Sequence, residues 1–118
     1  MASIAKDALA VRVLERLSVI AAGATPADAD QALVEGYIDA THSGLRAPKN
    51  LVPFTLDDIP EWAQIPLCSI VAFNVTPEYG VTGLRKAELE KESKEGKLEL
   101  SRQVAGRKHK RRVRQEYF

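Results

Sequence analysis

Apolar side chains recur every three or four positions through the first part of the chain, which is the spacing of one helix face. This stretch runs from Ser3 to Ala22. Its apolar positions include Ile4, Ala8, Val11 and Leu17. Ser3 is a residue type that caps helix starts, and Gly23 suits the left-handed residue that ends a helix. The pattern predicts an amphipathic first helix from Ser3 to Ala22.

A second helix is predicted after a short connection. Thr25, Pro26 and Asp28 provide a capping residue, a proline at the first helical position and an acid in the first turn, which are typical signals of a helix start. The helix is expected to run from Pro26 to Ser43, with Gly44 as its end. Because the connection is short, we expect the first two helices to form an antiparallel hairpin.

The most apolar part of the chain lies between residues 65 and 75 and predicts a buried central helix. The residues before it, 45–57, contain two prolines and predict a loop. The segment from Asp57 to Glu61 opens the central helix, since Pro60 is tolerated in a first turn. Pro66 predicts a kink or a late start, and the segment Thr76 to Gly80 ends the helix.

The chain becomes strongly charged after Val81. Few apolar residues remain, which predicts a mostly solvated fourth helix that ends at Gly96. Beyond Gly96, Leu98 and Leu100 alternate with polar residues, and this alternation favours an extended segment. The sequence therefore predicts an all-α fold. A small helical bundle (helix hairpin, central helix, polar fourth helix) spans residues 1–96, and an extended, basic C-terminal arm spans residues 97–118.

The composition is that of one ordinary globular domain, with 118 residues, 45% of them hydrophobic and 28% charged. The single cysteine, Cys68, excludes a disulfide framework and a multi-cysteine metal site. No apolar run is long enough to cross a bilayer, and the first residues do not resemble a signal peptide. We therefore expect a soluble, intracellular protein.

Charge is divided unevenly along the chain. Residues 1–80 carry five Lys/Arg and ten Asp/Glu, a net charge of −5, whereas residues 81–118 carry twelve and six, a net charge of +6. Such a basic segment can bind phosphates or an acidic protein surface, or remain solvated. We expect it to bind a partner, because an aromatic pair able to anchor in a pocket follows the cations. The predicted partner-binding residues are Leu98, Leu100, Val104, Arg107, Lys108, Lys110, Arg111, Arg112, Arg114, Tyr117 and Phe118.

Signals for catalysis and for metal binding are weak. Cys68 lies in the most apolar helix, where a small buried side chain is expected. His42 and His109 lack the spacing to carboxylates that a metal motif needs. The acids between Asp57 and Glu61 lie at a helix start, where they interact favourably with the helix dipole. We expect no catalytic residue, no metal site and no cofactor, so the chain is not expected to be an enzyme.

Three segments together resemble one family. The stretch from Val13 to Leu33 consists of an apolar helix, a Gly-Ala-Thr-Pro turn and a second helix. It resembles the opening hairpin of phage head-to-tail connector adaptors, the tail accessory or head-completion proteins that bind under the portal. The segment 53–63, with its Ile-Pro-Glu turn, resembles their next element, and the segment 76–80 resembles the turn that closes their central helix. The resemblance covers residues 4–100.

The resemblance implies a structural virion protein. Such adaptors are small α-helical bundles that assemble as a ring, commonly twelve-fold, beneath the portal protein. The C-terminal arm docks on the portal, and the opposite face receives the next tail component, a nozzle, stopper or tail tube. The ring extends the channel through which DNA passes without sequence-specific binding. It would lie at the head–tail interface of the virion, and in the host cytoplasm during assembly. Tyr37 and Trp62 are the candidates for contacts between copies. For Trp62 a place over the core is the default expectation, and a contact between copies is the alternative because Trp is enriched at interface hot spots.

The sequence also supports an alternative function. A small nucleic-acid-binding protein could use the same basic C-terminal arm, and its binding would fall steeply with salt. Under the adaptor hypothesis, a chain that lacks residues 97–118 should keep a folded helical body and lose only its attachment. Unfolding of that shortened chain would instead place the arm in the core.

Overall fold

The protein is an all-α domain of four helices, as the sequence predicts. The computed structural model describes residues 3–47 and 49–116, with side chains described as far as residue 106. The helices are α1 (Lys6–Arg16), α2 (Asp28–Gly44), α3 (Glu61–Val75) and α4 (Gly83–Glu116), and a 3-10 turn (Thr76–Tyr79) lies between α3 and α4. Within the described ranges there is no strand, and Ile4 and Ile59 form a single isolated antiparallel bridge.

Helix α3 is the centre of the core, which confirms the predicted buried central helix. It packs against each of the other three helices. Its buried residues lie on all of its faces, as expected of a helix enclosed by its neighbours. The helix begins at Glu61, with Pro60 as its N-cap residue, and continues across Pro66. The start is therefore not delayed, although Pro66 has no N–H to donate to the carbonyl four residues before it.

Helix α1 is shorter than predicted, since it ends at Arg16 rather than at Ala22. Ser18 adopts a left-handed conformation with φ of 60°, and this turns the chain away from the helix axis. Arg85 of α4 donates a hydrogen bond of 2.6 Å from Nη2 to the carbonyl oxygen of Arg16, so a tertiary contact satisfies the end of α1. The connection to α2 therefore occupies residues 17–27, and α1 still packs on α2.

Helix α4 differs most from the prediction. It continues without a break past Gly96, so the predicted end at Gly96 is wrong, and residues 97–106 of the predicted extended arm are helical. The buried positions are spaced as in a helix, at steps of three or four residues. They are Leu89, Ser93, Gly96, Leu100 and Val104. The alternation of Leu98 and Leu100 indicated the two-residue spacing of an extended segment. That spacing is wrong, because only Leu100 belongs to the buried stripe.

Gly96 is the point of close approach between α3 and α4. A Cβ atom at this position would lie 2.8 Å from the carbonyl oxygen of Pro66 and 3.4 Å from Ile70. A distance under 3 Å to backbone is not tolerated, so only glycine allows the two helices to cross here. The glycine that the sequence marks as a helix end is therefore a packing residue inside a helix.

Helix α4 also sets the shape of the molecule. At 1.5 Å per residue its 34 residues span about 51 Å, whereas the 15 residues of α3 span about 22 Å. The long axis of the protein measures 53 Å. About half of α4 must therefore extend past the helix on which it packs, and the predicted domain boundary at residue 96 lies inside a continuous helix.

Candidate functional site

The surface on each side of α4 has a groove that a partner could use. The first groove lies between α3, α4 and the end of α1, and has a volume of about 400 Å³. Two exposed apolar side chains line it, Ile65 on α3 (72% exposed) and Leu98 on α4 (63% exposed). Large apolar side chains with this exposure are candidates for contact with another molecule.

Charged groups surround the apolar part of the first groove. Arg16 of α1 forms an ion pair with Glu92 of α4. Arg102 forms a second pair with Glu99, with 2.8 Å between Nη1 and Oε2. Glu95 also lines the groove, and it has no ion-pair partner among the residues with described side chains. The groove thus combines an apolar floor with an acidic α4 side.

The second groove lies on the other side of α4, against α2 and α3, and has a volume of about 520 Å³. Small side chains of α2 leave it open, namely Ala40 and Gly44. Lys97 of α4 lines its edge. Asn74 of α3 donates a hydrogen bond of 3.0 Å to the Thr41 hydroxyl at its base, which ties α3 to α2.

The predicted apolar contact residues separate into two groups in the structure. Leu98 is exposed, as a partner contact requires. Leu100 is fully buried and Val104 is 8% exposed, so both hold α4 against the body and do not face a partner. The assignment of Leu100 and Val104 as partner-binding residues is wrong, because a helix places these two positions on the buried stripe that contains Leu89.

The predicted cationic contacts all lie on the last part of α4. The backbone there is helical as far as Glu116. The side chains of Arg107, Lys108, Lys110, Arg111, Arg112 and Arg114 lie outside the described residues, and so do Tyr117 and Phe118. Their role in binding a partner stays a prediction.

Tyr37 and Trp62, the candidates for contacts between copies, are both half-buried. Tyr37 lines the second groove and donates a 2.9 Å hydrogen bond to Oε1 of Glu78, and this bond raises the pKa of the phenol. Trp62 packs edge-on against Phe54, with ring centroids 5.7 Å apart. The Nε2 of His42 donates to the Phe54 carbonyl oxygen at 2.9 Å, so these aromatic groups hold the loop that precedes α3.

The structure places two of the groups that the sequence analysis considered for chemistry, Cys68 and Asp58. Cys68 is buried, as the sequence predicts, and desolvation raises the pKa of its thiol to about 11 despite the opposing charges of Arg16 and Arg12. The thiol therefore stays protonated and unreactive near neutral pH. Asp58 accepts a hydrogen bond from Ser3, so one of the clustered acids helps to hold the N-terminal segment. Across the described residues, no group of three His, Cys, Asp or Glu side chains could hold a metal ion.

Sequence reasoning missed Ile65 and the two grooves. Ile65 lies within the most apolar stretch of the chain, and the sequence alone does not distinguish it from its buried neighbours. The grooves depend on where α4 crosses α3, and that crossing depends on Gly96. A helical wheel of residues 83–104 would have separated the buried stripe from the flanks of α4, but only if the chain had been assigned as helix beyond Gly96.

Comparison of the chain with known protein families, with curated proteins and with solved structures gave no match to any of them. A search of the described residues found no helix with the length and apolar character needed to cross a membrane.

Proposed function

We propose that this chain is a non-enzymatic structural adaptor of a phage virion. In this proposal, copies of the chain form a ring beneath the portal, link the capsid to the tail and extend the DNA channel. One side of the ring binds the portal protein, and the other receives a nozzle, stopper or tail tube. The protein would lie at the head–tail interface, and in the host cytoplasm before assembly.

One observation carries the proposal, the length of α4 relative to the body. About half of this helix extends past α3, and the last residue of its buried stripe in the described side chains is Val104. The continuation from residue 107 to residue 114 carries six Lys/Arg. A small body with a long, cationic helix projecting from one end fits an adaptor that attaches through that end to a larger assembly.

The positions of the three segments that resemble connector adaptors also support the proposal. The Thr25-Pro26 turn lies directly before α2, and Pro60 is the N-cap residue of α3. The segment from Thr76 forms the 3-10 turn, and Gly80 closes it with a left-handed φ of 63°. Each of the three motifs therefore marks the boundary of a helix, as it would in the hairpin and central helix of such an adaptor.

The test is attachment to the portal ring of the same virus, measured by co-sedimentation. A variant that lacks residues 107–118 keeps every described core residue, so it should fold and fail to sediment with the portal. A matched control, Arg46→Ala with Lys49→Ala, removes exposed cations from the loop after α2 and should bind as the full chain does. Equal binding by the shortened and full chains would contradict the proposal.

The cation-rich end of α4 also favours a second candidate, a small nucleic-acid-binding protein. Seven Lys/Arg lie between residues 102 and 114 on a continuous helical backbone. Phosphate contacts from such a segment would make the affinity fall steeply as salt rises. Arg111→Glu with Arg112→Glu should then abolish DNA binding without changing binding to any protein partner. DNA binding that is unchanged by this double substitution would exclude this candidate.

A further inference from the structure

Helix α1 ends earlier than the pattern of its sequence indicates. The apolar spacing that predicts this helix continues through Leu17, Ile20 and Ala21, and the first glycine after it is Gly23. The structure nevertheless ends α1 at Arg16. The segment 17–22 therefore has the sequence pattern of a helix and the conformation of a connection, so contacts with other parts of the chain must favour the shorter helix.

The helix end at Arg16 is of the type that normally uses glycine. The Ser18 N–H donates to the Glu15 carbonyl oxygen at 3.0 Å, and the Val19 N–H donates to the carbonyl oxygen five residues before it, also at 3.0 Å. This pair of bonds places the residue after the C-cap in the left-handed region, where glycine is common. Here that residue is Ser18, with φ of 60°, and its Cβ makes the conformation unfavourable. The short form of α1 is therefore locally destabilised.

Contacts from outside the segment stabilise this early end. Arg85 of α4 donates from Nη2 to the Arg16 carbonyl oxygen at 2.6 Å. In a longer helix the N–H of Ile20 would donate to the same oxygen, so Arg85 supplies the donor that the early end leaves missing. The Glu15 carboxylate also accepts a 2.9 Å hydrogen bond from the Gly23 N–H, and Ile20 is half-buried against the core.

A second, more favourable helix end lies further along the chain. Gly23 has a left-handed φ of 82°, a conformation that glycine adopts without the steric penalty of a Cβ. A helix that continued to Ala22 would end at this glycine, and the connection to α2 would shorten to residues 23–27. At 1.5 Å per residue, α1 would lengthen by about 9 Å.

We propose that Arg85 is a latch that sets the length of α1. While the Arg85 guanidinium holds the Arg16 carbonyl, α1 ends there and the segment 17–22 is a connection. When the guanidinium is withdrawn, α1 elongates to Ala22 and ends at Gly23. The Arg85 side chain is 45% exposed, so a partner that binds this guanidinium through a carboxylate or phosphate would release the latch. The latch does not depend on the proposed adaptor function.

Removal of the latch tests the inference. In Arg85→Ala, the Cα chemical shifts of residues 17–22, measured by NMR, should move from coil values toward helical values. The amides of Ile20, Ala21 and Ala22 should exchange with solvent about tenfold more slowly than in the unmodified chain, because their N–H groups enter helical hydrogen bonds. Chemical shifts that stay at coil values in Arg85→Ala would overturn the inference.

A second substitution distinguishes a longer helix from a loosened connection. Ser18→Gly makes the left-handed residue favourable, so Arg85→Ala combined with Ser18→Gly should return to the short form of α1. The same chemical shifts in Arg85→Ala with and without Ser18→Gly would count against the latch.

Arg102→Ala is the matched control. Arg102 is also an exposed arginine of α4 that pairs with a glutamate three residues away, but it lies about 25 Å along the helix from Arg85. Its replacement should leave the chemical shifts and amide exchange of residues 17–22 unchanged. An effect of Arg102→Ala equal to that of Arg85→Ala would show that the change does not come from the contact with Arg16, and would overturn the inference.

Discussion

At the scale of single residues, the fold depends on a few positions whose importance comes from their neighbours. Gly96 is the clearest case, because its missing Cβ lets the Pro66 carbonyl approach α4. Leu98 and Leu100 show the same dependence, since these two leucines are chemically identical yet one is exposed and the other is fully buried. The geometry of the helix crossing, rather than the residue type, decides what each of them does.

Replacement of Gly96 by alanine tests the close approach. Alanine in a helix interior normally stabilises by about 0.5–1 kcal/mol relative to glycine, as expected at Gly36, where a Cβ would meet nothing within 4 Å. At Gly96 the methyl group would press on backbone, so Gly96→Ala should destabilise by about 1–3 kcal/mol. Urea unfolding of the two variants measures the difference, and a Gly96→Ala protein as stable as Gly36→Ala would contradict the described crossing.

The two leucines provide a second prediction. Leu100→Ala should lower the free energy of unfolding by about 2–5 kcal/mol, because it leaves a cavity in the core. Leu98→Ala, at a 63% exposed position, should change it by about 0.5 kcal/mol or less. Chemical denaturation gives both values. Equal effects, or a larger effect at Leu98, would favour the extended segment that the sequence pattern indicated.

The free energy of unfolding should fall in alkaline solution, because folding raises the pKa of two groups, the Cys68 thiol and the Tyr79 phenol. Folding raises the pKa of Cys68 to about 11 through desolvation, and that of Tyr79 to about 12 through desolvation and its hydrogen bond to Asp30. Above pH about 8.5 the unfolded chain loses the thiol proton that the folded chain keeps, so the unfolded state gains stability as pH rises. Thermal midpoints from pH 7 to 10 should decrease, and Cys68→Ala should decrease less. A flat profile in the unmodified chain would contradict a protonated, buried thiol.

At the scale of helices, the sequence identified all four helices but not all of their bounds. Residues 66–72 within the apolar run are all buried, so the hydrophobicity of the run alone predicts α3. The extent of α1 and α4 depends on contacts between distant residues, such as Arg85 with the carbonyl of Arg16 and Gly96 with Pro66. The helix propensity of the local sequence does not depend on these contacts. The sequence therefore predicts α1 too long and α4 too short.

Two truncations test the revised extent of α4. A chain that ends at Gly106 retains Leu100 and Val104, so it should remain helical and unfold cooperatively. A chain that ends at Gly96 loses both core residues, so we expect it to be strongly destabilised or unfolded. Circular dichroism with thermal melting distinguishes these results. Full stability of the shorter chain would show that residues 97–106 are an arm after all.

At the scale of the whole molecule, the adaptor proposal joins three features that the sequence separated. Helix α4 connects the acidic body to the basic end within one chain. Its middle packs on the core, and its last part projects from the core. The sequence indicated the charge imbalance and the family resemblance. It did not indicate that α4 continues through Gly96, since that continuity depends on the close approach of Gly96 to Pro66 on α3.

The mass of the purified protein, alone and mixed with the portal ring of its virus in moderate salt, distinguishes a portal-binding adaptor from a nucleic-acid-binding protein. The adaptor account predicts a complex whose mass exceeds that of the portal by a fixed multiple of the chain, and predicts no such complex for the chain that ends at Gly106. A protein that ignores the portal, shifts in mass with DNA and loses that shift as salt rises would contradict the account and favour the nucleic-acid-binding function.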